Sequence, residues 1–222
     1  MRIVLVGTGT GIGKTHLGVT LVTALRRRGE EVCGLKPIES GVAPGDVGED
    51  ARALAEAGVF HVKHPQPYAL EDAVSPHLAA RRAGITVDLA PVLRWVDAHP
   101  ARWVIVETAG ALLSPIAPGV TNLDLAVALR PDAWLLVAPD RLGVLHDVAA
   151  ALLALGALCS PPIRPTVVLQ TPAVPDTSTG TNAAELELLG VAPKVFTMPR
   201  AEPTAAECQT IATQILAPLL SM

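Results

Sequence analysis

The sequence predicts an α/β fold: one parallel β-sheet with helices on both faces, forming a single domain over residues 1–222. Three observations predict it. Short, wholly apolar runs alternate with longer helical segments, the pattern of strands buried on both faces between crossover helices. Half of the 222 residues are hydrophobic and only 17% are charged, so a large core can form and wholesale disorder is excluded. Aromatic residues are only 3%, and Ala, Val and Leu carry the apolar load. That suits helices packed on a sheet better than an aromatic-rich β-sandwich.

The elements follow in order. Arg2–Gly7 (RIVLVG) is an apolar run ending in glycine, which predicts a buried strand. Lys14–Arg28 carries Leu17, Leu21 and Leu25 at spacings of four, which predicts a helix closed by Gly29 after a basic last turn. Glu31–Leu35 is the second strand. Gly41–Gly48 (GVAPGDVG) reads as a mobile loop, and Asp50–Ala57 returns to helix. Ala90–Ala98 is a further helix and Trp103–Val106 (WVIV) a strand. Ala133–Ala138 (AWLLVA) is another strand, followed by a long Ala/Leu helix over Leu145–Leu155. Pro165–Leu169 and Val195–Met198 are the last strands, and a terminal helix follows from Pro203.

Several function classes are excluded. Lys and Arg total 17 against 21 Asp and Glu, a net charge of -4 with no basic run beyond Arg26–Arg28, so no nucleic-acid partner is expected. Nor is a membrane partner: the longest nearly apolar stretch, Val148–Cys159, is too short to span a bilayer. The N-terminal apolar run is too short for a signal peptide. The three cysteines, Cys33, Cys159 and Cys208, are far apart and lack C-x-x-C spacing, which argues against disulfides and zinc and for a reducing cytoplasm.

The strongest chemical signal is GTGTGIGKT at Gly7–Thr15. Glycines let a loop curl its N–H groups towards phosphate oxygens. Lys14 supplies a positive charge for the outer phosphates, Thr15 a hydroxyl for magnesium, and the next helix its positive N-terminal end. The outer glycines, Gly7 and Gly13, have five residues between them rather than the strict four. A second signal is KPIESG at Lys36–Gly41, at the end of the second strand, where an open α/β sheet places its ligand crevice. Lys36 and Ser40 then sit beside the phosphates; a surface lysine before a proline turn is the plainer alternative. Glu107 ends WVIVE in the same crevice, placed either to hold magnesium or to cap a helix or join an ion pair. Asp50 is either a second magnesium ligand or a first-turn acid that suits the helix dipole, and its spacing does not decide. His61, His64 and His99 are expected to be solvated. His77 is expected to pack or to orient another residue.

GTGTGIGKT, KPIESG, Asp50, SPH at Ser75–His77, VETAG at Val106–Gly110 and the Leu142–Gly143 pair occur in an order that resembles the dethiobiotin synthetase family. The resemblance covers roughly residues 2 to 200 and implies a P-loop NTPase-like fold. It also implies an ATP- and magnesium-dependent cyclo-ligase that converts 7,8-diaminononanoate and carbon dioxide to dethiobiotin through a carbamate and its phosphorylated form. The implied catalytic residues are Lys14, Lys36 and Thr10. The implied nucleotide site is Gly9, Thr10, Gly11, Ile12, Gly13, Lys14 and Thr15, with Gln170 and the segment Pro199, Arg200, Ala201 and Glu202 at the base. Ser40, Thr10 and Lys36 would hold the substrate, together with Leu142, Gly143 and His146 across a homodimer with shared sites. Thr15, Asp50 and Glu107 would surround magnesium.

The sequence departs from the family at four places. E-G-A-G-G is Glu107–Ala111 here (ETAGA), adding side chains to a loop close to substrate. The acid of G-T-D-T-G is Gly9, and the Asn of L-G-x-x-N is His146. The base-reading Asn is replaced by Gln170, followed by Thr171, which predicts relaxed base selectivity. Three rivals remain: an amide-forming ligase of the cobyrinate type, a partitioning or regulatory ATPase, and a degenerate nucleotide-binding relative. The first would need a glutaminase domain, for which the chain has no room. The second usually has a lysine early in the phosphate loop, and Gly7–Ile12 has none.

Overall fold

The computed structural model describes residues 1–221. Its centre is a six-stranded, wholly parallel sheet. In chain order the first elements are β1 (Arg2–Gly7), α1 (Lys14–Arg27), β2 (Val32–Leu35), β3 (Ile38–Ser40), α2 (Glu49–Ala57) and β4 (Tyr68–Leu70). Then come α3 (Pro76–Arg82), α4 (Leu89–Asp97), β5 (Trp103–Glu107), β6 (Pro115–Ala117), β7 (Val120–Thr121) and α5 (Asn122–Ala128). The last are β8 (Ala133–Pro139), α6 (Val144–Leu158), β9 (Thr166–Gln170), α7 (Asn182–Leu188), β10 (Val195–Met198) and α8 (Ala206–Leu220).

The strand order is β10-β9-β8-β1-β5-β2. From β1 the chain crosses to the far edge at β2, comes back to β5, and only then fills the other side with β8, β9 and β10. The order therefore reverses around β1, and the crevice outside its carboxyl end is where such sheets bind ligands.

Side-chain alternation explains why both faces are covered. Ile3 and Leu5 of β1 join Leu17, Leu21 and Leu25 of α1 and Ala212 and Leu216 of α8 in one core. Val4 and Val6 join Val92, Leu125, Val148 and Leu155, from α4, α5 and α6, in the other. Leu135 and Val137 point to the first core while Leu136 and Ala138 point to the second. A period of two with apolar residues at every position buries a strand on both sides.

All eleven elements predicted above are present, with ends displaced by a residue or a few. Seven short ones were not predicted: β3, β4, β6, β7, α3, α5 and α7. Each has at most seven residues, too few to show a period. Gly41–Gly48 forms neither helix nor strand. His61 and His64 are exposed as expected, but His99 is not solvated: it is 1% exposed. Its Nδ1 lies 2.7 Å from the Trp95 carbonyl oxygen and its Nε2 accepts from the Lys63 N–H at 2.9 Å. It ties the end of α4 to the segment leading into β4.

No described helix is long and apolar enough to cross a membrane.

Candidate functional site

The loop between β1 and α1 lies at the carboxyl end of the central strand. Gly13 caps α1 in the left-handed region (φ 92°), and a Cβ there would run into the Gln170 side chain. Only glycine meets both conditions at no cost. Lys14, 5% exposed, folds over the loop and donates from Nζ to the Gly9 carbonyl at 2.8 Å. Burial pulls its pKa down to about 8, with Glu107 opposing and Lys36 assisting.

Beside the loop is a network of four side chains from four elements. Lys36, just beyond β2, makes ion pairs with Asp50 at the start of α2 and with Glu107 at the end of β5, the latter at 2.9 Å. The same Glu107 oxygen, Oε1, accepts from the Thr15 hydroxyl at 3.1 Å. Burial alone would pull Lys36 down, but the charges of Glu107 and Asp50 outweigh it and hold the ammonium above its ordinary value. Glu107 is 1% exposed and its second oxygen, Oε2, is buried without a hydrogen-bond partner.

Two cavities meet at Thr10. The larger, about 890 Å³, runs along Thr10–Gly13 to Gln170 and the Arg200–Pro203 segment, with Arg141 at its wall. It contains most of the nucleotide-site residues named from the sequence. The smaller, about 410 Å³, is lined by Thr10, Lys36, Ser40, Asp50 and the Ala109–Gly110 turn, among others. The Ser40 hydroxyl is buried there without a partner. His77 does not line this cavity; its Nδ1 lies 3.0 Å from the Ser75 hydroxyl, and Ser75 does line it. Leu142, Gly143 and His146 line neither cavity. Leu142 is 76% exposed, and His146 borders a separate shallow hollow with Gly7, Thr8 and Asp147.

Sequence reasoning missed several contributors. Glu39 accepts from the backbone N–H groups of Asp50 and Ala51 at 3.1 and 3.0 Å, so it caps α2 and fixes the helix that carries Asp50. Desolvation raises its pKa, against the pull of Lys36 and those two N–H groups. Asn122, fully buried, donates to the carbonyls of Ala109 and Ala111 and so holds the turn after β5. The Thr121–Asp124 capping box was a readable signal for the start of its helix, though not for the Asn. His16, Arg141 and Ser114 also line the cavities.

A family model described as an AAA domain matches residues 1–200. An ATP-dependent dethiobiotin synthetase from Anaeromyxobacter dehalogenans (strain 2CP-C) is 38% identical over 187 residues, 82% of each chain. The chain belongs to the dethiobiotin synthetase family of ATP-dependent ligases. A relative of the same name from Caulobacter sp. (strain K31) is 40% identical over 161 residues, covering 68% of each chain. Among solved structures, the MinC:MinD complex of Aquifex aeolicus aligns with a TM-score of 0.60 at 13% identity, covering 100% of this chain and 96% of that one. A ParA family ATPase from Chlorobium tepidum gives 0.55 at 14%, covering 100% and 92%. These two share the P-loop NTPase fold.

Against the family pattern, the ETAGA turn leaves the smaller cavity open. Thr108 points away from it, its hydroxyl donating to the Leu5 carbonyl at 3.0 Å. Ala111 faces the shallow hollow instead. Gly110, at φ 79°, stays glycine where a Cβ would stand 3.3 Å from the Thr10 hydroxyl.

Proposed function

We propose that the chain closes a cyclic urea: it takes 7,8-diaminononanoate, carbon dioxide and ATP, and forms dethiobiotin, ADP and phosphate. One observation carries the reading. A phosphate loop, a buried lysine held between two carboxylates and an unpartnered serine hydroxyl converge on two cavities that meet at Thr10.

The larger cavity takes ATP, its phosphates along Gly9–Thr15 under the N-terminus of α1, with Lys14 releasing the Gly9 carbonyl to meet the outer phosphates. Pro199–Glu202 lie along the base. The smaller cavity takes the diamine once one of its nitrogens has captured carbon dioxide as a carbamate. Ser40 and Thr10 hold the carbamate end, and Lys36 sits between carbamate and γ-phosphoryl group. A carbamate oxygen attacks phosphorus and ADP leaves. The second amine then attacks the carbamate carbon, the C–O bond breaks, and phosphate departs with that oxygen. The chain supplies charge neutralisation and orientation, the terms that dominate phosphoryl transfer.

The donor set fits magnesium: a hydroxyl and two carboxylates, one of them (Glu107) with a buried, unpartnered oxygen, all oxygen ligands. Thr15, Asp50 and Glu107 would hold the ion, which would neutralise charge developing on the phosphates. Leu142, Gly143 and His146 serve a partner subunit's site in a homodimer. Their absence from both cavities of their own chain and the exposure of Leu142 and Leu153 support that assignment.

The test is ADP formation with each component omitted in turn. Release that needs both diaminononanoate and bicarbonate supports the proposal. Steady hydrolysis without the diamine overturns it in favour of a switch ATPase.

A further inference from the structure

A further cavity, about 500 Å³, lies at the amino ends of β9 and β10, the opposite edge of the sheet from the phosphate loop. That volume is in the range of small-molecule sites. Its walls come from α6, α8 and the two segments that lead into the strands, with an apolar lining that includes Leu152, Ile163, Val191, Phe196 and Ile215. Pro162, Pro165 and Pro193 stand in those segments. A proline's φ is fixed, so this part of the wall has little freedom to lose when a ligand enters. Two charged side chains line the cavity, Arg164 and Lys194; both are exposed and both are cations. No acid lines it, although the chain has 21 acidic residues against 17 basic ones. Among the described residues neither cation is in an ion pair. Glu187, whose carboxylate accepts from the Val195 N–H at 2.7 Å, does not line the cavity. Nζ of Lys194 stands 4.6 Å from the centre of the Phe196 ring, and this cation–π contact holds the ammonium against the apolar wall.

We propose that this cavity is a second small-molecule site, which takes a free medium-chain monocarboxylate. The alkyl chain lies against the apolar walls and the carboxylate meets Arg164 and Lys194. Its occupancy stands apart from the nucleotide and diamine readings above. An apolar chain gains free energy by leaving water for this lining. Two cations with no acid beside them favour an anion and repel an amine. The guanidinium fork matches a carboxylate with two parallel hydrogen bonds, and the ammonium adds a point charge. A neutral alcohol of the same length keeps the apolar gain and forfeits the charge. A nucleotide or sugar phosphate would strand polar groups on a wall with few partners for them. Gly156 of α6 also lines the cavity, and a Cβ there meets nothing within 4 Å. A larger side chain at this position fits the backbone and takes up the ligand's space.

The experiment titrates octanoate, and separately octan-1-ol, into the full chain by calorimetry at constant salt. Three proteins are compared: wild type, the Arg164→Gln/Lys194→Gln double variant and Gly156→Phe. A melting temperature near that of wild type certifies the fold of each variant. Wild type should bind one octanoate per chain with a Kd of about 1 mM or tighter, and octan-1-ol at least about tenfold more weakly. The double variant should lose about tenfold or more in octanoate affinity. Gly156→Phe should not bind it. Saturating ATP and diaminononanoate should leave octanoate binding to wild type unchanged, because the two cavities at Thr10 lie at the other edge of the sheet. The absence of saturable octanoate binding to wild type overturns the proposal, as does octan-1-ol binding equally well. So does binding that either variant retains at full strength, or that ATP and diaminononanoate displace. None of these results bears on whether the chain closes the urea, which ADP formation tests separately.

Discussion

Nζ of Lys36 lies 2.9 Å from Oε1 of Glu107, the same oxygen that accepts the Thr15 hydroxyl. One buried carboxylate thus joins the end of β5 to the end of β2 and to the phosphate loop. Pairs of this kind are costly to break from one side, since the surviving charge stays buried without its partner.

Lys36→Met should therefore destabilise the fold as well as stop turnover. The expected loss is about 3 kcal/mol, the lower end for breaking a buried pair, because half-exposed Asp50 can turn to water. Urea denaturation of both proteins checks it. A loss under ~1 kcal/mol would show that Glu107 is compensated by another group.

Glu107→Gln keeps the shape and an acceptor for Thr15 while removing the charge. Turnover should fall by about a hundredfold, the scale of losing one group that stabilises transition-state charge. The magnesium concentration giving half-maximal rate should rise. Rates across a magnesium titration check both. A change below about threefold, or ~0.7 kcal/mol, contradicts the placement of Glu107 at the metal.

Gly110→Ala tests the turn that lines the smaller cavity beside Thr10. Its positive φ disfavours any side chain by about 1–2 kcal/mol, and the added Cβ would press on the Thr10 hydroxyl. The expected result is a lower melting temperature together with a higher KM for the diamine. An unchanged KM would place substrate away from this turn.

His99 gives a pH dependence. Burial holds its pKa below the ordinary 6.5, with the Trp95 carbonyl opposing, and Nε2 is occupied as an acceptor. The unfolded chain therefore binds a proton near pH 6.5 that the native ring still refuses. Stability from this residue is complete above that pH and is lost as pH falls below it. His99→Gln can still accept from Lys63 but does not titrate. Between pH 7.5 and 5.5, wild type should lose more stability than His99→Gln in parallel denaturant titrations. Equal losses would show that His99 is free to protonate in the folded state.

The strands and long helices were legible because the apolar runs and the four-residue leucine spacing are long enough to carry a period. Lys14, Lys36 and Glu107 were legible for a related reason: each stands at or just beyond the carboxyl end of a strand of the parallel sheet, or at the helix start that follows one. Glu39 and Asn122 were not. Their roles come from what tertiary packing brings near them, the start of α2 for one and the carbonyls of the Ala109–Ala111 turn for the other. His99 stands next to a proline at the end of α4, a place that reads as solvated, yet the ring is buried and bonded to the segment before β4 through the Lys63 N–H. Gln170 was legible as a replacement for a base-reading residue, but its hydrogen bonds to the carbonyls of Met198 and Pro199 depend on two separate segments meeting.

The most direct test of the account follows one oxygen atom. Heavy-oxygen-labelled carbon dioxide is added, freshly dissolved, to the enzyme with diaminononanoate, ATP and magnesium, and the inorganic phosphate released in the first turnovers is weighed by mass spectrometry. If a carbamate oxygen attacks phosphorus and leaves with it, as the positions of Lys36, Ser40 and Thr10 imply, each phosphate carries one heavy oxygen and dethiobiotin accumulates in equal amount. Unlabelled phosphate, with or without ADP release, would contradict the account.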